Sequence, residues 1–454
     1  MSIKDRPLNA SAALWIRKVI ARIKGDFAKN TGALALSNFF GAILAFAQSI
    51  IVTRWLGPES YGIYSLVISY PFLVFCIFNA RTSEMTVRYL SAFDARNERE
   101  KAEAVWKLGY LIDFAIAAIT FVVVLFSSSW AAGRIIHDVS YWWLIVVFAG
   151  AWLPGVLSNN SRAVLTVLGR FRLLASISAA EAIMRLIFIL VFLSFGLRIS
   201  GAVFGNSLAI CTSGLVHFWI ARRLSLRRWG RNLGRGILDE LKEERREISR
   251  FIVFNEANLL VGLVPKQLDV ILLGVFRSPV EVGYYRLATN IAGVVSYLVN
   301  PLQAVLYPEL SRLQGLRLYG ALKERARKMA LEVALPLVAL TSVGIMATPY
   351  MIRLLFGEAY RNATLPTQIL LGGAIVWLGF FWLRPLYYSL GEVGRWLKVN
   401  AAMALINLAA FFLVIPGGGY VNLAWLMAAI QLMSHMSALL LLVSGSRKRR
   451  GERF

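Results

Sequence analysis

The chain has 454 residues, 58 % of them apolar and 16 % charged, with 49 Lys and Arg against 25 Asp and Glu, a net charge of +24 and a mean hydropathy of +0.62. Soluble domains carry about 25 % charged residues, so this balance excludes a soluble globule and places most of the chain in lipid. The only cysteines, Cys76 and Cys211, both sit within apolar runs, which excludes a disulfide framework and a cysteine-rich metal site.

At the amino end, Trp15, Ile16, Val19, Ile20, Ile23 and Phe27 recur at helical spacing among Arg17, Lys18, Arg22, Lys24 and Lys29. This pattern predicts that 1–30 is a cytoplasmic amphipathic segment at the membrane interface, not a signal peptide. Six apolar runs follow, at 31–54, 60–79, 107–128, 141–159, 173–196 and 199–220. A charged stretch over 221–250 precedes six more, at 251–275, 282–306, 329–348, 365–385, 396–415 and 420–443, and a basic tail closes the chain at 444–454. At about 20 residues per crossing, the reading is an all-α polytopic membrane protein of about 12 transmembrane helices. The domain division is an N-lobe over 31–220, a linker over 221–250 and a C-lobe over 251–443.

The loops after the odd-numbered runs hold only Arg54, Arg134, Arg198, Arg277, Arg353 and Arg361 as cations, while the two ends and the other loops hold nearly all the rest. Lys and Arg accumulate on the cytoplasmic side of a membrane, so both termini are expected in the cytoplasm. The positive charge is thereby explained by the membrane surface, and no nucleic-acid partner is expected. The linker reads either as a hinge on the anionic inner leaflet or as a solvated charge run. The longest outer connection is expected near 348–366.

The two halves repeat each other. PESYGIYSL at 58–66 answers PVEVGYYRL at 279–287, so Gly62 maps to Gly283 and Tyr64 to Tyr285 at an offset of 221. Leu90 and Ser91 answer Leu310 and Ser311, and LGRFRLLASISAAEAI at 168–183 answers LGEVGRWLKVNAAMAL at 390–405. Each half holds an even number of runs, so the repeats are parallel and related by an axis along the membrane normal. Two such bundles enclose a cleft.

TRWLGPESYGIYSL at 53–66, VRYLS at 87–91, LLGVFRSPVEVGYYRLA at 272–288, YPELS at 307–311 and the LG turns at 168 and 390 resemble the polysaccharide-transporter branch of the multidrug/oligosaccharidyl-lipid/polysaccharide (MOP) superfamily. The resemblance implies two six-helix lobes related by a pseudo-two-fold axis, with a cavity lined mainly by the first two spans of each. It also implies a flippase of a bacterial inner membrane that moves polyprenyl-(pyro)phosphate-linked oligosaccharide by alternating access. O-antigen, exopolysaccharide and teichoic-acid-type precursors are the candidate cargoes. Membrane lipids and glycan-assembly proteins are the implied partners. A multidrug exporter on the same scaffold and a membrane-embedded glycan polymerase or ligase are the alternatives. No P-loop, HExxH or CxxC pattern is present, so no cofactor, metal or catalytic set is expected.

A charge kept inside a span costs about 3 kcal/mol at the helix centre, which makes each one a candidate for function. Lys266, Arg185, Arg286 and Arg81 are the candidate cavity cations for the substrate phosphate, with Asp269 and Glu181 as counter-charges or coupling groups. Each has a structural alternative. Glu181 with Arg185 at i, i+4 and Lys266 with Asp269 at i, i+3 read equally as self-neutralising pairs. Arg286 and Arg81, near membrane edges, read equally as snorkelling side chains. Asp113 reads as a shallow residue without a role, and His217 and His435 as packed residues.

Overall fold

The computed structural model describes residues 10–79, 81–230, 240–316 and 318–451. Side chains are described over 39–444, except for 253–266, 443 and scattered positions between 298 and 330. Among the described residues there is no β-strand. The first half comprises α1 (Ala10–Phe78), α2 (Thr82–Ala95), α3 (Arg99–Ala131), α4 (Trp142–Gly155), α5 (Leu157–Val167), α6 (Phe171–Ser194) and α7 (Arg198–Trp229). The second comprises α8 (Arg245–Phe276), α9 (Pro279–Gly315), α10 (Tyr319–Lys328), α11 (Leu335–Phe356), α12 (Thr364–Gly379), α13 (Leu383–Ser389) and α14 (Val393–Gly451).

Eight helical stretches among the described residues are long and apolar enough to cross a membrane. Two of them, in α1 and α14, are each broken by one non-helical glycine, Gly57 (φ 74°) and Gly419 (φ 62°), so each supplies two rods. Together with α8 and α9 this makes twelve, the number the hydropathy pattern predicts. The bounds differ in places. The ninth run does not stop at 348: α11 continues through Pro349 to Phe356, and the connection shrinks to a short 3-10 turn, Glu358–Ala363. A helical proline deprives the carbonyl four residues earlier of its N–H partner. Here that carbonyl is Ile345, and the Gln368 side chain donates to it at 3.1 Å, so the helix tolerates the proline.

The halves meet where the repeat is strongest. A β-carbon on Gly62 would lie 1.8 Å from the Pro279 carbonyl oxygen, and one on Gly283 would lie 2.1 Å from that of Pro58. Proline and glycine in one half thus face their repeat-mates in the other, and the pseudo-two-fold axis runs between the two glycines. A second pair of contacts obeys the same symmetry. His137 Nε2 bonds to the Gly274 carbonyl at 2.8 Å, and the Tyr360 hydroxyl donates to the Thr53 carbonyl at 3.2 Å, the two acceptors being 221 residues apart. Arg54 also reaches the Leu354 carbonyl. Connections between equivalent helices turn on left-handed residues at offsets of 220 to 222: His137 with Gly357, Gly169 with Gly391 and Arg198 with Gly419. Counting crossings from the amino end puts the Gly62 contacts at the end of the bundle opposite the termini.

At the other end, the described part of the linker packs on the first half. Trp229, Leu241 and Ile248 are buried in one cluster with Met85, Leu90, Phe93 and Val105. Polar contacts surround them: Trp229 Nε1 donates to Asp94 at 2.8 Å, Lys101 meets Glu244 at 2.6 Å, and Arg88 meets Glu247 at 3.0 Å. The net positive charge of the segment conceals, in the sequence, the acids that face α2 and α3. Residues 231–239 lie outside the described residues.

Two outcomes follow from these contacts. Gly62→Leu forces backbone apart and is expected to cost about 1–3 kcal/mol, whereas Gly293→Leu, with open space around it, leaves the thermal unfolding of the detergent-purified protein unchanged. Burial opposes the Asp94 charge, but hydrogen bonds from Arg228 and Trp229 outweigh it and hold this carboxyl below the usual range. A depressed carboxylate stabilises the fold fully above its unfolded pKa of about 3.9 and loses that contribution as pH falls through the folded value. Hydrogen exchange around Trp229 is therefore expected to accelerate below about pH 4, and Asp94→Asn to show the faster exchange already at pH 7.

Candidate functional site

The charged residues of the first half converge on one carboxylate. Glu181 on α6, 15 % exposed, takes Arg185 of its own helix at 2.8 Å through Oε1 and Arg162 of α5 at 2.6 Å through Oε2. Arg162 also donates to the Ser178 hydroxyl at 2.9 Å. Among the described residues, the buried Nε of Arg185 has no hydrogen-bond partner. Glu181 and Arg185 form the i, i+4 pair foreseen as one reading. Arg162 was not foreseen, because the fourth apolar run ends at 159. In the structure α4 breaks at Val156 and α5 carries the rod on to Val167, which places Arg162 within it. The signal available was the polar NNSR stretch directly after an apolar run.

From the second half, α9 brings Arg286 to the same region. Among the described residues Arg286 has no carboxylate within ion-pair distance. The Tyr64 phenol lies within the electrostatic reach of both Arg185 and Arg286, and the Tyr61 phenol within that of Arg286. Tyr61 accepts a 2.8 Å bond from Asn290 of α9, while Tyr64 accepts one of 3.3 Å from Asn206 of α7. The two tyrosine rings stack at 6.2 Å on the helix that carries Gly62, so they stand at the junction of the halves. Arg185 and Arg286, one from each half, thus act on the same phenol, while Arg162 joins this set only through Glu181.

The remaining candidates have other partners. Arg81, in a left-handed conformation where α2 begins, is paired with Glu84 at 2.6 Å. Asp269 accepts from the Tyr285 hydroxyl at 2.9 Å. The side chain of Lys266 lies outside the described residues; its backbone belongs to α8. Asp113 is buried, with the Thr82 hydroxyl on one oxygen. His217 is buried against the Ser213 carbonyl and His435 lies over the Phe380 ring. Among the described residues no three His, Cys, Asp or Glu side chains are grouped to hold a metal ion.

The family model described as polysaccharide biosynthesis protein matches residues 27–314, more than half of the chain. The chain belongs to that family. Among curated proteins, the inner membrane protein YghQ of Escherichia coli K12 is 21 % identical over 288 residues, covering 63 % of this chain and 80 % of that protein. Among solved structures, the lipid II flippase MurJ in an inward closed conformation superposes with a TM-score of 0.70 at 13 % identity, over 90 % of this chain and 87 % of that one. An inward-facing multidrug resistance MATE transporter of the MOP superfamily gives 0.68 at 14 % identity, over 93 % and 98 %. The protein is thus a multi-pass membrane protein with the MOP transporter fold.

Removing the shared carboxylate, itself 15 % exposed, takes the ion-pair partner from two guanidinium groups at once. Glu181→Gln, which breaks two pairs at a well-covered carboxylate whose arginines are each more than a third exposed, is accordingly expected to cost about 1–3 kcal/mol, while Glu84→Gln, whose pair with Arg81 is more than a third exposed on both sides, costs less than about 1 kcal/mol. Thermal unfolding of the purified protein checks both.

Proposed function

We propose that the protein is a flippase that carries a polyprenyl-phosphate- or diphosphate-linked oligosaccharide between the leaflets of a bacterial inner membrane, by alternating access of its two halves. The observation that carries this reading is the gathering of cations from both halves: Arg185 and Arg286 both act on the Tyr64 phenol, and Arg185 shares its one carboxylate, Glu181, with Arg162. Holding uncompensated cations in a membrane is costly unless an anion uses them. A phosphate entering this region meets planar forks that bind it bidentately, and the tyrosines and asparagines beside them offer hydrogen bonds to sugar hydroxyls. The excess of positive charge disfavours a cationic drug as cargo. Lys266 stays in the proposed set by its place on α8, whereas Arg81 leaves it, being engaged by Glu84. With both termini in the cytoplasm, the Gly62 contacts close the outer side and the cargo enters from within. An inside-negative potential of about 100 mV then favours outward movement of each negative charge by about 2.3 kcal/mol.

The test is leaflet translocation of a fluorescent undecaprenyl-diphosphate-linked oligosaccharide in proteoliposomes, read by a membrane-impermeant quencher. Arg185→Gln and Arg286→Gln are each expected to slow translocation by roughly tenfold or more, the loss that goes with one charge-assisted hydrogen bond. Wild-type rates in both variants would overturn the assignment.

A further inference from the structure

Between α2 and α5, at the end of the bundle where the linker docks, lies a cavity of about 480 Å3 lined by Ser83, Glu84, Arg88, Asn159, Arg162 and Thr166. Its two arginines arrive on different helices, with hydroxyl and amide groups between them, which is a donor set suited to a tetrahedral oxyanion. Both arginines are engaged by carboxylates carried on other elements. Glu247, where α8 begins, lies 3.0 Å from Arg88, and Glu181 on α6 lies 2.6 Å from Arg162. The acid in the cavity wall, Glu84, is itself held by Arg81 at 2.6 Å and accepts the Ser83 hydroxyl at 2.9 Å.

We propose that this cavity is an entry subsite for the phosphate or diphosphate group of a lipid anion, and that Glu247 is a strap occupying Arg88 until that group arrives. The proposal rests on the flippase reading and names where its cargo is first held. The two carboxylates stand where phosphate oxygens would bind. The Arg88 pair is exposed, at 54 % for Arg88 and 61 % for Glu247, so water screens it and it exchanges easily. A phosphate brings more charge and more acceptor oxygens than one carboxylate and competes well for the same fork. Arg88 also lies over the Phe251 ring of α8 at 4.9 Å, and Tyr89 donates to Glu247 at 3.0 Å, so the strap is positioned by its neighbours as well as by charge. Displacing Glu247 removes contacts that tie α8 of the second half to α2 of the first. Arg162 shares Glu181 with Arg185, which connects the subsite to the deeper cations.

The test measures binding of farnesyl diphosphate to the full chain in nanodiscs by equilibrium dialysis, with farnesol and inorganic pyrophosphate as separate probes. Glu247→Gln is expected to bind farnesyl diphosphate several-fold more tightly than wild type, and Arg88→Gln and Arg162→Gln roughly tenfold more weakly. Farnesol binds none of them with this pattern. Pyrophosphate binding as tightly as the prenyl diphosphate would overturn the lipid assignment. Affinity unchanged or weakened by Glu247→Gln, or unchanged in both arginine variants, would overturn the subsite. Glu247→Gln removes an exposed charge, so it remains informative if Arg162→Gln fails to fold. If the expected binding pattern appears in a protein that does not move lipid-linked oligosaccharide, the flippase reading fails and the subsite stands. If translocation occurs without tightening by Glu247→Gln, the subsite fails and the flippase reading stands.

Discussion

Two glycines, one in each half, allow backbone to meet backbone at the end of the bundle away from the termini, and the rest of the arrangement depends on that approach. No side chain fits at Gly62 or Gly283, because each faces the carbonyl of the other half's proline. Close approach through small residues is a general route to helix association in lipid, where apolar side chains gain little from leaving one another's company. The symmetric hydrogen bonds of His137 to Gly274 and of Tyr360 to Thr53 fasten the same end. Four chain segments that are far apart in sequence thus form one seal around a local two-fold axis.

Fixing the halves at one end determines what the charged residues meet. The helix carrying Gly62 also carries Tyr61 and Tyr64, and the helix carrying Gly283 also carries Tyr285 and Arg286. Packing the glycines therefore brings Arg286 of the second half to the Tyr64 that also feels Arg185 of the first. Arg185 and Arg286 act on one phenol only because the halves cross where they do. At the opposite end ion pairs between the linker and α2 or α3 surround a buried apolar cluster, and the Arg88–Glu247 pair among them is exposed and exchanges with water and salt. A durable seal at one end and an exchangeable one at the other suit a molecule that opens first towards the linker side.

Much of this was legible in the sequence. Apolar runs of spanning length marked all twelve rods, because a helix that must satisfy its own backbone in lipid leaves a long continuous signal. The offset of 221 marked Gly62 and Gly283 as equivalent, and their structural roles are equivalent. Other features were hidden for physical reasons. Pro349 looked like a terminus, since nothing local shows that Gln368 satisfies the Ile345 carbonyl. Arg162 looked like a loop residue because the break at Val156 interrupts the hydropathy but not the rod. Nothing around His137 in the sequence marks a partner, and only the tertiary fold shows its reach to Gly274. Glu181 with Arg185 was readable as a pair, but the sharing of Glu181 with Arg162 joins two helices whose register no sequence spacing reveals.

The central claim is that the Gly62 end must part for cargo to leave. Arg54 and Leu354 flank that seal from opposite halves, so replacing both with cysteine, in a chain freed of Cys76 and Cys211, allows a short reductant-cleavable thiol cross-linker to lock it. The decisive measurement is oligosaccharide-lipid translocation by the locked protein before and after reduction. The account predicts arrest when locked and recovery when reduced; undiminished translocation with the seal covalently shut would contradict it.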